Sequence, residues 1–279
     1  MQYRPSLPKR NDNVSHNHPL KEFAILLSGV TVFLLFAVWS LGLFVDWAAD
    51  YISPEIEAVI FSPVHVSGAV LNTSKEHDPD PRRIALQRLL DTLSPCIEVG
   101  YPLQINLAKS ETANAFAFPG GRIIVLSELL HTIQSENGLA FVLAHEMAHF
   151  KNRDHLRGMG RGLVLTALSA LLTGAGSDIT QLFTPTLMIG QAEYSQERES
   201  MADQLALRAL HCSYGHVGGA TEFFEAMKQN EGGGKIRQYF SSHPEAIQRI
   251  NNLHELTAAA NFAVQETAPL AEVFSRPRR

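Results

Sequence analysis

Apolar and polar positions divide this chain into clearly different stretches. Phe23 to Val45 is uncharged and strongly apolar. As a helix at 1.5 Å per residue it would be about 34 Å long, enough to cross a bilayer. From Arg82 to Leu93 the residues Ile84, Leu86, Leu89, Leu90 and Leu93 recur at helical spacing. Gln104 to Ala108 alternates like a strand, and Phe116 to Pro119, Gly120-Gly121 and Arg122 to Leu126 read as strand, tight turn and strand. Ser127 to Ile133 starts a further helix. Asn137 to Asn152 lacks proline, has Ser135 as its N-cap, and carries Leu139, Phe141, Val142, Leu143, Met147 and Phe150 nearly all round the cylinder. A helix apolar on every side belongs inside a core. Gly162 to Ala192 holds a single charge, Asp178. Its run Leu163 to Leu172 is too short to span a membrane comfortably, so a buried helix is expected, with lipid contact as the competing reading. Glu193 to His211 returns to a helical pattern.

These patterns predict an α+β fold, mainly helical, with a small β-sheet beside the 137–152 helix and one transmembrane helix in front. The expected organisation is a disordered cytoplasmic tail at 1–22, a transmembrane helix at 23–45, a connector outside the cytoplasm at 46–81, a folded domain at 82–258, and a C-terminal tail at 259–279 that frays. Val64 to Leu71 reads as a short strand within the connector. The orientation follows from charge. Arg4, Lys9, Arg10 and Lys21 precede the span, whereas Asp46 to Ser74 has no Lys or Arg and carries Asp46, Asp50, Glu55 and Glu57. Trp39 and Trp47 sit near the outer end, where interfacial aromatics belong. A cleaved signal peptide is the competing reading, but the run is too long and no small-x-small site follows it.

Composition changes this picture only at the edges. A chain of 279 residues, 45% hydrophobic, suffices for one sizeable domain plus an attachment. A net charge of -5 offers no basic footprint for nucleic acid. The two cysteines, Cys96 and Cys212, form no C-x-x-C knuckle; a disulfide and a pair of buried thiols both remain open.

The chemistry concentrates in His145-Glu146-Met147-Ala148-His149. Residues four apart stack on one helix face, so both imidazoles can reach one metal ion, with Glu146 able to reach a water held there. Two histidines and a glutamate inside a core helix are costly unless satisfied, and hydrogen-bonded core histidines are the bland alternative. A hydrolytic zinc site needs a third protein ligand. The helix after residue 193 offers Glu197, Glu199 and Asp203. Glu199 and Asp203 are four apart, so one can bind metal while the other holds the imidazole N–H of a ligand. Glu197 and Arg198 read as exposed surface charges. A purely structural zinc would close with four protein ligands and leave Glu146 without a role.

Several motifs, in this order, resemble the M48 family of membrane-associated zinc metallopeptidases, with its HtpX, Ste24, Oma1 and BepA branches. They are Asn114-Ala115-Phe116 with Pro119-Gly120-Gly121, then Leu143 to His149, Lys151 to Asp154, Ser195 to Glu199 through Ala202-Asp203, and His243-Pro244 with Arg249-Ile250. Together they cover about Tyr101 to Leu253. The resemblance implies a zincin-like domain with one Zn2+ per chain, ligands His145, His149 and Glu199, Glu146 as base, and Asp203 behind a ligand. His243 and Arg249 become candidate donors to a developing oxyanion, His243 alternatively a cap on the zinc or an ordinary helix-start residue. Asn114, Ala115 and Phe116 become a candidate edge for an extended substrate. Gln196 departs from the family's usual Arg. HtpX relatives also carry several spans, against one here.

The expected function is a membrane-anchored zinc endopeptidase that clears misfolded or misassembled envelope proteins. The expected location is the bacterial inner membrane, single-pass, with the catalytic domain periplasmic. A mitochondrial inner membrane is the weaker placement, because the N-terminus lacks an Arg-rich transit segment. The expected partners are unfolded protein substrates and the bilayer around 23–45, with no nucleic acid. The alternative function is an envelope assembly factor or chaperone with a latent site. His65, His77, His131, His155, His211, His216 and His254 have no partner at metal spacing and read as structural or surface residues, and Gly232-Gly233-Gly234 as a flexible loop.

Overall fold

Residues 19–61, 72–73, 80–100, 102–173, 195–229 and 246–274 are described in a computed structural model of the chain. His243, Gly232-Gly233-Gly234 and the strand expected at Val64 to Leu71 lie outside the described residues. The long apolar run forms α1, Pro19–Ala49. Its large side chains, Phe33 and Trp39 among them, are exposed along its length, a surface that only an apolar medium would cover. Length, composition and exposure fit a membrane anchor. A short helix α2, Pro54–Phe61, follows.

The rest of the chain is built around α5, Glu136–Lys151. Ser135 caps it as the sequence predicts, its hydroxyl accepting from the N–H of Gly138 at 2.9 Å. Every residue from Asn137 to Phe150 is buried. Leu139, Phe141, Leu143, Met147 and Phe150 each contribute roughly 1.5–3 kcal/mol by leaving water, and so hold the polar residues of the same helix inside. Around α5 pack α3 (Pro81–Leu93), α6 (Asp154–Thr173), α7 (Gln196–Tyr214) and α8 (Glu222–Gln229); α9 (Ala246–Ala259) closes on α7 and α8. A single turn α4, Leu129–Thr132, leads from the sheet into α5. Asp80 starts α3 by capping Arg82 N–H, and Gly215 ends α7 at a φ of 74°.

The sheet has four strands in the order β1-β2-β4-β3: β1 Asn72–Thr73, β2 Gln104–Lys109, β3 Ala115–Phe118 and β4 Arg122–Leu126. β2 and β4 run parallel, with Gln104 opposite Arg122. β3 returns antiparallel to β4 at the sheet's edge, with Phe118 opposite Arg122. The turn between them needs Gly120 and Gly121, whose φ values of 83° and 76° are strained for any side chain.

One expectation changes and one open question is decided. Residues 260–274 pack on the domain rather than fray. Phe262, Leu270 and Val273 pack on the core, Phe274 is buried, and Glu136 N–H and Ala268 N–H bond across to Ala268 O and Asn137 Oδ1. Ala-rich spacing hid this, because the segment docks as extended chain rather than as a helix. The two cysteines are joined, Cys96 to Cys212 with Cα atoms 5.9 Å apart, which ties the turn after α3 to α7. The backbone of Leu163 to Leu172 is helical within α6, and most of its side chains lie outside the described residues.

Candidate metal centre

Helix α5 presents His145 and His149 toward α7, and α7 answers with Glu199 and Asp203, also four apart. All four are buried. His145 Nε2 and His149 Nε2 are 3.1 Å apart; Glu199 Oε2 is 3.4 Å from the first and Glu199 Oε1 3.5 Å from the second. Donors at 2.0–2.1 Å around a tetrahedral zinc would be separated by about 3.3 Å. The triangle therefore has the size of three corners of such a site, and the donor types are those zinc accepts. Among the described residues, His145, His149 and Glu199 are the group that could hold a metal ion.

Each imidazole is gripped from behind. Asp203 Oδ1 lies 3.0 Å from His145 Nδ1, and Asp154 Oδ2 lies 3.0 Å from His149 Nδ1. A carboxylate on the far nitrogen fixes ring orientation and leaves Nε2 as the metal-facing atom. Burial alone would push the His149 pKa down, but Asp154 and Glu199 outweigh it and raise it to about 10. His145 is opposed by burial and by Arg249 and is raised by Asp203 and Glu199. The field that draws a proton to each ring would equally favour a divalent cation. Glu146, Asp154, Glu199 and Asp203 are four carboxylates against two guanidinium groups, Arg249 and Arg198, an excess that matches one such ion.

The model of peptidase family M48 matches residues 82–257. The chain belongs to peptidase family M48. It is 28% identical over 180 residues to the mitochondrial metalloendopeptidase OMA1 of Schizosaccharomyces pombe, covering 61% of this chain and 53% of that one. Over 123 residues it is 30% identical to the beta-barrel assembly-enhancing protease of Escherichia coli K12, covering 40% of this chain and 25% of the relative. To metalloprotease YcaL of the same organism it is 24% identical over 165 residues, 57% of this chain and 64% of the relative. The chain thus spans about half the length, 53% and 51%, of the two fungal OMA1 relatives. M48 membership makes it a metallopeptidase homologue, and zinc is the family's typical metal.

Within the M48 domain Glu146 sits between the ligand pair and the sheet. Its Oε2 accepts from Ala117 N–H at 2.9 Å. That bond shows which way the edge strand faces: the Ala117 N–H points away from β4 and toward the site. Asn114, Ala115 and Phe116 lie at the start of this strand, and all three are buried.

Arg249, the candidate donor to a developing oxyanion, holds its guanidinium on carboxylates of the centre itself. Nη1 lies 2.6 Å from Glu199 Oε2, Nε and Nη2 bond Asp203, and the group rests over the Phe224 ring at 4.4 Å. A buried guanidinium needs carboxylates, and these two are closest. Burial would raise the Asp203 pKa, yet Arg249 and His145 hold it below the ordinary range. Gln196 lines a small cavity with Glu199, Asp203 and Arg249, so its departure from the family pattern falls beside the centre.

Two residues that touch this centre or its supports escaped the sequence reading, and a third was legible only without its partner. Asp154 was read only as part of a motif, although an acid five residues after a ligand histidine is a usable signal. Arg198 is not a surface charge but half-buried, its Nε 3.6 Å from Asp154 Oδ1 and its Nη2 3.6 Å from Asp46 Oδ1 at the end of α1. His155 is structural, as expected, but deeply buried, 3.0 Å from a carboxylate oxygen of Glu57. Nothing in the sequence links residue 57 to residue 155.

Proposed function

We propose that this chain is a membrane-anchored zinc endopeptidase that hydrolyses peptide bonds of misfolded or misassembled envelope proteins, with Glu146 as general base. The observation that carries the reading is the triangle of His145, His149 and Glu199 donors, sized for zinc, with Glu146 on the same helix beside a strand edge. One zinc per chain would be held by His145, His149 and Glu199, with Asp203 and Asp154 orienting the two rings. A bound zinc supplies Lewis acidity: it acidifies a water into the neutral range and polarises a scissile carbonyl. Glu146 removes a proton from the attacking water and delivers it to the leaving amine. Arg249 is shared between Glu199 and Asp203 and so keeps the ligand carboxylate in place. The backbone of Asn114 to Phe116 offers an edge to which an extended, unfolded segment adds as another strand.

Placement rests on three supports. Arg4, Lys9 and Arg10 precede α1 and Lys21 lies in its first turn, whereas residues 50–74 after it carry acids and no Lys or Arg. The Cys96–Cys212 disulfide suits an oxidising compartment. The Escherichia coli relative is named a beta-barrel assembly-enhancing protease. Together they favour a bacterial inner membrane with the catalytic domain in the periplasm.

The test is paired. Zinc content and cleavage of unfolded casein are measured in detergent for the wild type and Glu146→Gln. About one zinc in each, with cleavage only by the wild type, is the expected result. Zinc in both and cleavage by neither would favour the second reading, an assembly factor with a latent site. No zinc in either would sink both.

A further inference from the structure

Among the described residues, Glu57 is the most deeply buried acid outside the metal centre, with a relative exposure of 0%. It lies on α2, in the segment that leaves α1, and outside the residues 82–257 matched to the family. A buried carboxylate is retained only where it is well satisfied. Its Oε1 accepts from Gly120 N–H at 2.8 Å and lies 3.0 Å from His155 Nε2; its Oε2 accepts from Arg153 Nη1 at 3.0 Å. These partners belong to two separate turns. Gly120 is in the turn that ends β3, the strand whose Ala117 N–H meets Glu146. Arg153 and His155 flank Asp154, which holds His149. Arg153 itself is held at a φ of 60°, a conformation a non-glycine residue keeps only where its surroundings enforce it.

We propose that Glu57 is a positioning residue: from the segment next to the membrane, its one carboxylate fixes the turn that sets the β3 edge and the turn that aims Asp154 at His149. This deepens the peptidase reading and rests on it for its kinetic part. Substrate pairing on β3 is made in the ground state and the transition state alike, so loosening the Gly120 turn weakens binding more than turnover. The membrane anchor is then not a passive tether. The side chain that organises both turns enters the domain through it.

The test uses the full chain in detergent, comparing wild type, Glu57→Leu, which keeps volume but removes the acceptor, and Glu57→Gln, which keeps an acceptor. Amide exchange is followed by mass spectrometry, and casein cleavage over a range of concentrations. Glu57→Leu is expected to speed exchange about tenfold at 118–122 and 152–156 while the α5 and α7 cores stay protected. With zinc kept saturating, so that a loosened Asp154 does not empty the site, its KM should rise about fivefold with kcat within about twofold, and Glu57→Gln should fall between it and the wild type. Should Glu57→Leu fail to fold, Glu57→Gln alone must show the same local exchange and the KM shift in smaller measure. Unchanged exchange at both turns, exchange rising evenly over the whole domain, or an unchanged KM in a folded variant would overturn the proposal. A wild type that does not cleave sinks the peptidase reading instead, while local exchange still decides whether Glu57 fixes the two turns.

Discussion

Asp154 lies 3.0 Å from the Nδ1 of His149, five residues away along the chain and just past the end of α5. The carboxylate fixes which nitrogen of the ring faces the centre. Asp154→Asn keeps the shape and removes the charge. Zinc affinity, measured by competition with a chromogenic chelator, should fall roughly 10- to 100-fold, with helix content unchanged. An affinity equal to that of the wild type would mean that Asp154 does not tune the ligand.

Arg249 and Glu199 form a buried ion pair at 2.6 Å, and Asp203 shares the same guanidinium. Arg249→Met would leave two buried carboxylates without that partner, a loss of about 3–5 kcal/mol in the metal-free protein. Zinc would restore part of the missing positive charge. The variant should therefore lose roughly 10 °C in Tm in the presence of a chelator and distinctly less with zinc. The two melting curves, with and without zinc, check this. An equal loss in both conditions would show that Arg249 acts through packing on Phe224 alone.

Glu57 gives the protein a definite pH dependence. Burial raises its pKa, but His155, the Gly120 N–H and Arg153 together hold it below the ordinary 4.5. A carboxyl with a lowered folded-state pKa contributes stability that is fully present above 4.5 and is lost as pH falls through the lower folded value. Glu57→Gln removes this contribution at every pH. Urea midpoints of wild type and variant should differ most near neutrality and converge as the solution is acidified below 4.5. A gap that stays constant down to acid pH would show that the charge of Glu57 contributes nothing.

Much of this was legible in the sequence because it is local. Periodicity gives α1, α3, α5 and α7, the Gly120-Gly121 pair gives the hairpin, and spacing puts His145 with His149 and Glu199 with Asp203. The M48 motifs then join the two helices into one centre. What escaped was long-range. Pairing of Glu57 with Gly120 and Arg153, or of Arg198 with Asp46, leaves no trace in spacing, since the partners are about 63 to 152 residues apart and each of the charged ones looks like an ordinary surface residue. The packed segment 260–274 escaped for a different reason. Its stabilising contacts are a few extended-chain hydrogen bonds and single apolar anchors, with no period to detect.

The disulfide offers the last test, because the sequence left it open. Cys96 and Cys212 close a loop with a sequence separation of 116, which encloses the β2–β4 core of the sheet, α5 and most of α7. Constraining an unfolded chain over such a loop is worth up to about 4–5 kcal/mol. None of the candidate ligands lies next to either cysteine, so the cross-link acts on stability rather than on chemistry. Cys96→Ser/Cys212→Ser should therefore melt roughly 10 °C below the wild type, as should the wild type after reduction, while both still bind about one zinc. Reduction that leaves the Tm of the wild type unchanged would mean that the two thiols are not joined in the folded protein. Loss of zinc on reduction would show that the tie between the α3 turn and α7 also sets the position of Glu199.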